Sequence, residues 1–215
     1  MTSMLLDLPE ALGNHRSLPS VNGGTPLERH KMDQVIAGIE YQKLALKLGA
    51  DPNFPDDSGD TPVTMMAGGN DNEILRLLLE HGGDPNGTNR NGQPALFDAI
   101  SEERWDNIKT LLGYGADPDL TDKTGTTSAR YAARLNQFEI ANYLISQGAD
   151  PLQRDQVGAD IAWTIHKRLK RDLIDPKSET YKWAQKVKQQ LEERGVEFPP
   201  SSPEEVRERW GREGK

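Results

Sequence analysis

The sequence predicts an all-α solenoid of stacked helix-turn-helix units with projecting turns, on three observations. Glycines at 49, 82, 115 and 148 recur every 33 residues. Each precedes a similar tetrapeptide: Ala50-Asp51-Pro52-Asn53, Gly83-Asp84-Pro85-Asn86, Ala116-Asp117-Pro118-Asp119 and Ala149-Asp150-Pro151-Leu152. A second series, Gly59, Gly92, Gly125 and Gly158, keeps the same period ten residues further on. Between these marks the apolar residues fall on one face at helical spacing. A fixed period of this length marks an architecture in which no unit buries its apolar face alone and each leans on its neighbour.

Composition agrees. The chain of 215 residues is 34% hydrophobic, low for a compact globule but suited to a thin stack. Its formal charge of −8 argues against a nucleic-acid partner, because phosphate binding rests on surplus Lys and Arg. With no cysteine there is neither a disulfide nor thiolate chemistry. No apolar run approaches the length of a membrane span. The opening MTSMLLDLPEALGNHR lacks a basic leader region, and Asp7 and Glu10 interrupt its apolar run. The expected compartment is the cytoplasm, or the periplasm if a leader has been removed.

Residues 1–24, with Gly, Pro, Ser and Asn throughout, are expected to form an irregular arm. Residues 25–55 read as an N-terminal capping repeat, with a helix from Pro26-Leu27, a break at Gly38 and a second helix over IEYQKLALKLG. Residues 56–155 hold three regular repeats. In the first of these Thr61-Pro62 opens a short helix, with Pro in the first turn where its missing N–H is harmless. Gly69-Asn70-Asp71 breaks it, and EILRLLLEHG gives a second helix with Ile74, Leu75, Leu78 and Leu79 on one face. Gly82 ends that helix as a residue able to take positive φ. IKTLLGYG and EIANYLISQG repeat the second helix, and Asp-, Asn- and Gly-rich stretches between units read as projecting turns.

The period then slips: the glycine due at 181 falls at Gly195. Residues 156–200 are therefore an extended C-terminal capping repeat, with AWTIHKRLKRDL, a loop at Asp175-Pro176-Lys177-Ser178, and a last helix carrying Trp183, Val187 and Leu191. Residues 201–215 read as a weakly ordered tail in which Val206 and Trp210, four apart, could dock on the cap.

The segments GDTPVTMMA and EILRLLLEHGGDPN, with GTTSARYAARLNQFEIANYLISQGADP two units later, resemble the ankyrin repeat over roughly residues 25–200. The resemblance implies antiparallel helix pairs side by side, with turn fingers at right angles to them. The Thr-Pro pair survives only at 61–62, becoming Pro94-Ala95, Thr127-Ser128 and Asp160-Ile161, so weaker helix caps are expected. Thr64, Phe97, Arg130 and Trp163 stand where the family usually keeps histidine. Tyr181, Trp183 and the run Gly195 to Pro200 also resemble the longer last repeat of a group of bacterial ankyrin proteins. Some of that group lie beside secreted lipase toxins and are regarded as immunity or accessory proteins of type VI secretion. That likeness implies a protein that inhibits or escorts a secreted lipase-like effector; the chain is expected to be a monomer. The alternative is a regulatory or scaffolding ankyrin protein with no toxin partner.

No catalytic, cofactor or metal site is expected. The four histidines, at 15, 30, 81 and 166, share no ligand spacing, and no G-x-S-x-G elbow occurs. Asp51, Asp84, Asp117 and Asp150 recur with the repeat and read as turn hydrogen-bonders. The resemblance places variable, partner-binding side chains on the finger tips and the exposed edge of each first helix. The candidates are Asp57 and Asp60 in the first regular repeat; Arg90, Asn91, Gln93 and Glu102 in the next; Lys123, Thr124, Thr126 and Arg134 in the third; and Arg154 in the cap. Acidic residues gather at one end of this strip and basic ones, with Lys167 and Arg168, at the other. Such a gradient would orient a complementary partner; the alternative is a row of solvated turns. Phe97 and Trp163 are candidate anchors half-buried beside the strip, whereas Trp105 and Phe138 read as core.

Overall fold

A computed structural model of the chain describes residues 39–170 and 173–213. They form α1 (Ile39–Lys47), α2 (Pro62–Ala67), α3 (Asn72–Glu80), α4 (Ala95–Ser101), α5 (Trp105–Gly113), α6 (Ser128–Arg134), α7 (Phe138–Ser146), α8 (Ile161–Lys170), α9 (Glu179–Glu193) and α10 (Pro203–Glu213). The expected arm and the first helix of the N-terminal cap lie outside the described residues. No helix among the described residues is long and apolar enough to cross a membrane.

Two rows of helices result. The front row is α2, α4, α6 and α8, each packed on the next. Behind it α3, α5, α7 and α9 pair with α2, α4, α6 and α8 in turn. Small residues of the front row, Ala67, Ala99, Ala132 and Ala162, are fully buried and let the rows close together. Leu75, Ile108, Leu111 and Leu144 fill the space behind them. Each such side chain contributes about 1.5–3 kcal/mol by leaving water. Phe138 is core as expected, while Trp105 is half-buried and meets Tyr143 edge-on with ring centres 5.7 Å apart.

The caps explain where the front helices start. Thr61 and Thr64 exchange backbone-to-hydroxyl bonds of 3.3 and 2.9 Å, a reciprocal capping box. Thr127 accepts from the Arg130 N–H, and Asp160 from the Trp163 N–H at 2.8 Å. Aspartate thus replaces threonine at 160 without loss, and the expected weakening is confined to α4, whose cap residue Pro94 offers no side-chain bond.

Two asparagine or aspartate series build the fingers. Asp56, Asn89, Asp122 and Asp155 each accept from the backbone N–H groups two and four residues ahead, pinning a tight loop. Asp51, Asp84, Asp117 and Asp150 each accept from the N–H two residues ahead, the turn role expected of them. Between units runs a ladder: Asn53 accepts from the Asp84 N–H at 2.6 Å, Asn86 from Asp117 at 2.8 Å and Asp119 from Asp150 at 2.7 Å. It stops at Leu152, half exposed, where the regular stack gives way to the cap. Gly125 takes φ +81° in its finger, and a Cβ there would stand 3.2 Å from the Asp155 backbone, so glycine meets two demands at once.

At the C-terminal end Ser178 caps α9, which buries Ala184, Val187 and Leu191 against α7 and α8 and keeps Trp183 at the edge. The expected tail is instead helix α10. Ser202 accepts from the Glu205 N–H at 3.2 Å while Glu205 accepts from the Ser202 N–H at 2.7 Å. With Pro203 at the first helical position, the start signal is complete. Val206 is buried against Gly158, and Arg207 donates to the Val157 carbonyl at 2.6 Å. The segment therefore covers the last finger, while Trp210 stays exposed.

Candidate interaction surface

The recess between the fingers and the front helices collects side chains of both from neighbouring units. One cavity, of about 240 Å³, lies where the first two regular units meet. Asp60, Arg90, Asn91 and Gln93 reach it from the fingers, Asp98 from α4 and Glu102 from the residue that ends it. The Asn89 amide donates to both oxygens of Asp98, at 3.1 and 3.2 Å. Burial pushes the Asp98 carboxyl up to about 6 despite that amide, and the charge of Asp60 adds to the rise. Arg90 is the cation at this end: its backbone N–H donates to the Asp60 carboxylate at 2.9 Å and its guanidinium stands 3.9 Å from the same group.

The opposite end carries a larger cavity of about 420 Å³. Arg134, Lys167 and Arg168 supply charge, while Trp163, Val157 and Leu173 supply apolar surface. Pro203 of the capping helix closes one wall. Beneath it Arg130 and Asp155 form a buried ion pair at 2.7 Å, tying α6 to the final finger. Asp155 thus holds its own finger with one oxygen and the neighbouring unit with the other. The Arg168 guanidinium donates to the Arg134 carbonyl, fixing one cation at the mouth of the cavity.

The predicted candidates divide accordingly. Asp60, Arg90, Asn91, Gln93 and Glu102 share the acidic cavity, and Arg134 and Trp163 share the basic one. Asp57, Lys123 and Thr124 are exposed on finger tips. Two candidates offer no surface. Thr126 is fully buried, its hydroxyl 2.9 Å from that of Thr124 and accepting from Arg130 at 3.2 Å. Phe97 is 1% exposed and stacks on Tyr131 with ring centres 4.5 Å apart; the stack faces it inward and removes it as an anchor. Trp163 keeps the half-buried position expected of it, tilted against His166. Arg154 is less free than its sequence position implies, because its guanidinium lies 3.3 Å from Asp160, the residue that caps α8.

This arrangement of period, helix pairs and fingers is matched by family models. The description "Ankyrin repeats (3 copies)" matches residues 36–122 and "Ankyrin repeat" matches 124–156, together more than half of the chain. The chain belongs to the ankyrin-repeat family. No curated protein matches it. Ankyrin repeats are protein–protein interaction modules and in general do no catalysis, so the partner is another protein. Within the ankyrin stack one buried polar side chain that ties two units together was missed by sequence reasoning. Asn107, 2% exposed, donates to the carbonyls of Met66, Ala67 and Gly69 at 2.9–3.1 Å and accepts from Asn72 at 3.0 Å. It locks α5 to the end of α2. The signal lay in register: Ile74 and Ile140 occupy the same position one period before and after.

Proposed function

We propose that this ankyrin protein binds a single protein partner along the recess between its fingers and front helices. Asp60, Asp98 and Glu102 form an acidic subsite at one end. Arg134, Lys167 and Arg168, beside Trp163, form a basic and partly apolar subsite at the other. The observation that carries the reading is the pair of cavities of opposite charge on one continuous row of front helices. A partner with a basic segment and an acidic, apolar-tipped segment would be held in one direction only, because the reversed pose sets like charges together. The narrower role, inhibition or escort of a bacterial secreted effector, rests on the likeness of the last repeat at Tyr181, Trp183 and Gly195 to Pro200. A regulatory or scaffolding role with no toxin partner uses the same recess.

The test is affinity capture of a partner followed by binding kinetics on Arg134→Glu with Lys167→Glu. Both side chains are exposed, so stability should move by only about 0.5 kcal/mol for each. Association should slow and its dependence on salt should flatten, as loss of steering requires. Wild-type kinetics would remove the recess as the interface. Capture of a lipase-like protein whose activity falls on binding would support the effector role, and a partner with no change in activity would favour scaffolding.

A further inference from the structure

A third cavity, of about 320 Å³, lies away from the fingers, where the turns between front and rear helices meet the start of α9. It adjoins the recess, since Glu103 and Leu135 follow Glu102 and Arg134 in the chain, but shares no lining residue with either recess cavity. Two indole rings line it, Trp105 and Trp183, both half-buried. Three carboxylates, Glu103, Glu139 and Glu179, line it as well, and none of its lining residues is basic. We propose that this pocket takes the guanidinium of an arginine side chain presented by a protein partner, a contact separate from the recess.

Three observations converge on that ligand. The charge is complementary: Glu179 is matched by Lys182 at 2.6 Å, but Glu103 and Glu139 make no ion pair among the described residues. The rings are of the kind that cations seek, and the chain's own lysines already sit over them. The Lys186 ammonium lies 4.3 Å from the Trp183 ring centre, and that of Lys109 5.9 Å from Trp105. Two lining residues also hold buried amide oxygens with no hydrogen-bond partner, Asn136 Oδ1 and Gln137 Oε1. The Gln137 amide nitrogen is engaged with Glu103 at 3.2 Å, which leaves its oxygen as an acceptor that no described residue satisfies. A guanidinium fits this set better than an ammonium, because it is planar, stacks on indole and carries five donors for several acceptors at once.

The indole N–H resonances of the four tryptophans, each assigned by its Trp→Phe variant, report binding site by site. A capped pentapeptide with one central arginine should shift the signals of Trp105 and Trp183 saturably and leave those of Trp163 and Trp210 in place. The same peptide with citrulline, which keeps the shape and loses the charge, should shift none. Glu103→Gln with Glu139→Gln should weaken arginine-peptide binding about tenfold or more, since charge-assisted bonds would be lost. Lys123→Glu with Lys167→Glu should leave it unchanged, which separates this pocket from the recess. Absence of saturable shifts at millimolar peptide, equal binding of the citrulline peptide, or tighter binding of a lysine peptide would each overturn the assignment.

Discussion

Asp119 stands on the inter-unit ladder where its predecessors Asn53 and Asn86 both accept and donate. Asn53 gives its amide to the Gly82 carbonyl at 2.9 Å, and Asn86 gives its amide to Gly115 at 3.4 Å. Asp119 keeps the accepting bond, from the Asp150 N–H, but a carboxylate has no proton to give to the equivalent carbonyl of Gly148. Burial raises its carboxyl above the usual range against that hydrogen bond, and the charges of Asp117 and Asp150 raise it further. Asp119→Asn should therefore restore a second bond and remove a repelled charge. One net hydrogen bond contributes about 0.5–1.5 kcal/mol, and for a chain of this length that raises the melting temperature by roughly 1–6 °C. The pH dependence has a definite sign. A carboxyl raised in the folded state contributes stability when protonated, and that contribution is lost as pH rises through the raised value. The advantage of Asn over Asp should accordingly be largest near neutral pH and shrink as the solution is acidified. Urea unfolding of both proteins at neutral and mildly acidic pH measures it. A variant no more stable than wild type at pH 7, or an advantage that grows with acid, would refute the ladder as described.

Other perturbations have outcomes set by the same contacts. Asn107→Ile gives this unit the residue its neighbours carry, yet should destabilise by about 1–3 kcal/mol in chemical denaturation, because it strips a donor from three carbonyls, those of Met66 and Ala67 buried. Leu78→Ala should lower stability by about 2–5 kcal/mol through lost burial and a cavity; an unchanged melting point would contradict its place in the core. Asp98, whose carboxyl is pushed up to about 6 from 3.8, contributes stability below about pH 4 that is lost as pH rises through about 6. Asp98→Asn should flatten that decline in a series of thermal melts. Deleting residues 201–215 should uncover Gly158 and the basic cavity wall, lowering the melting temperature and speeding amide exchange in the last finger.

The fold was legible because period, glycine spacing and apolar faces agreed with one another. Gly82 and Gly125, with their counterparts, mark positions that need positive φ, and such positions announce themselves in a sequence. The apolar positions 75, 78, 108, 111 and 144 went to the core as the helical spacing required. α10 escaped because its only apolar residues are Val206 and Trp210, too few to show a helical face, although Ser202-Pro203-Glu204-Glu205 carries a capping box and a first-turn proline. The strip of candidate residues was legible only to the level of register. Sequence spacing says which residues share a row, but not that Thr126 turns inward to bond Arg130 or that Phe97 meets Tyr131. Those outcomes depend on neighbours one period away. The Trp105–Trp183 pocket was beyond the repeat pattern altogether, since it forms where regular units meet the irregular cap.

Hydrogen exchange on the complex with a captured partner tests the central claim most directly. The account predicts slowed exchange in the fingers around residues 88–93 and 121–126 and in the ends of α4, α6 and α8, with the rear helices α3, α5 and α7 unchanged. Slowed exchange confined to those rear helices would contradict it.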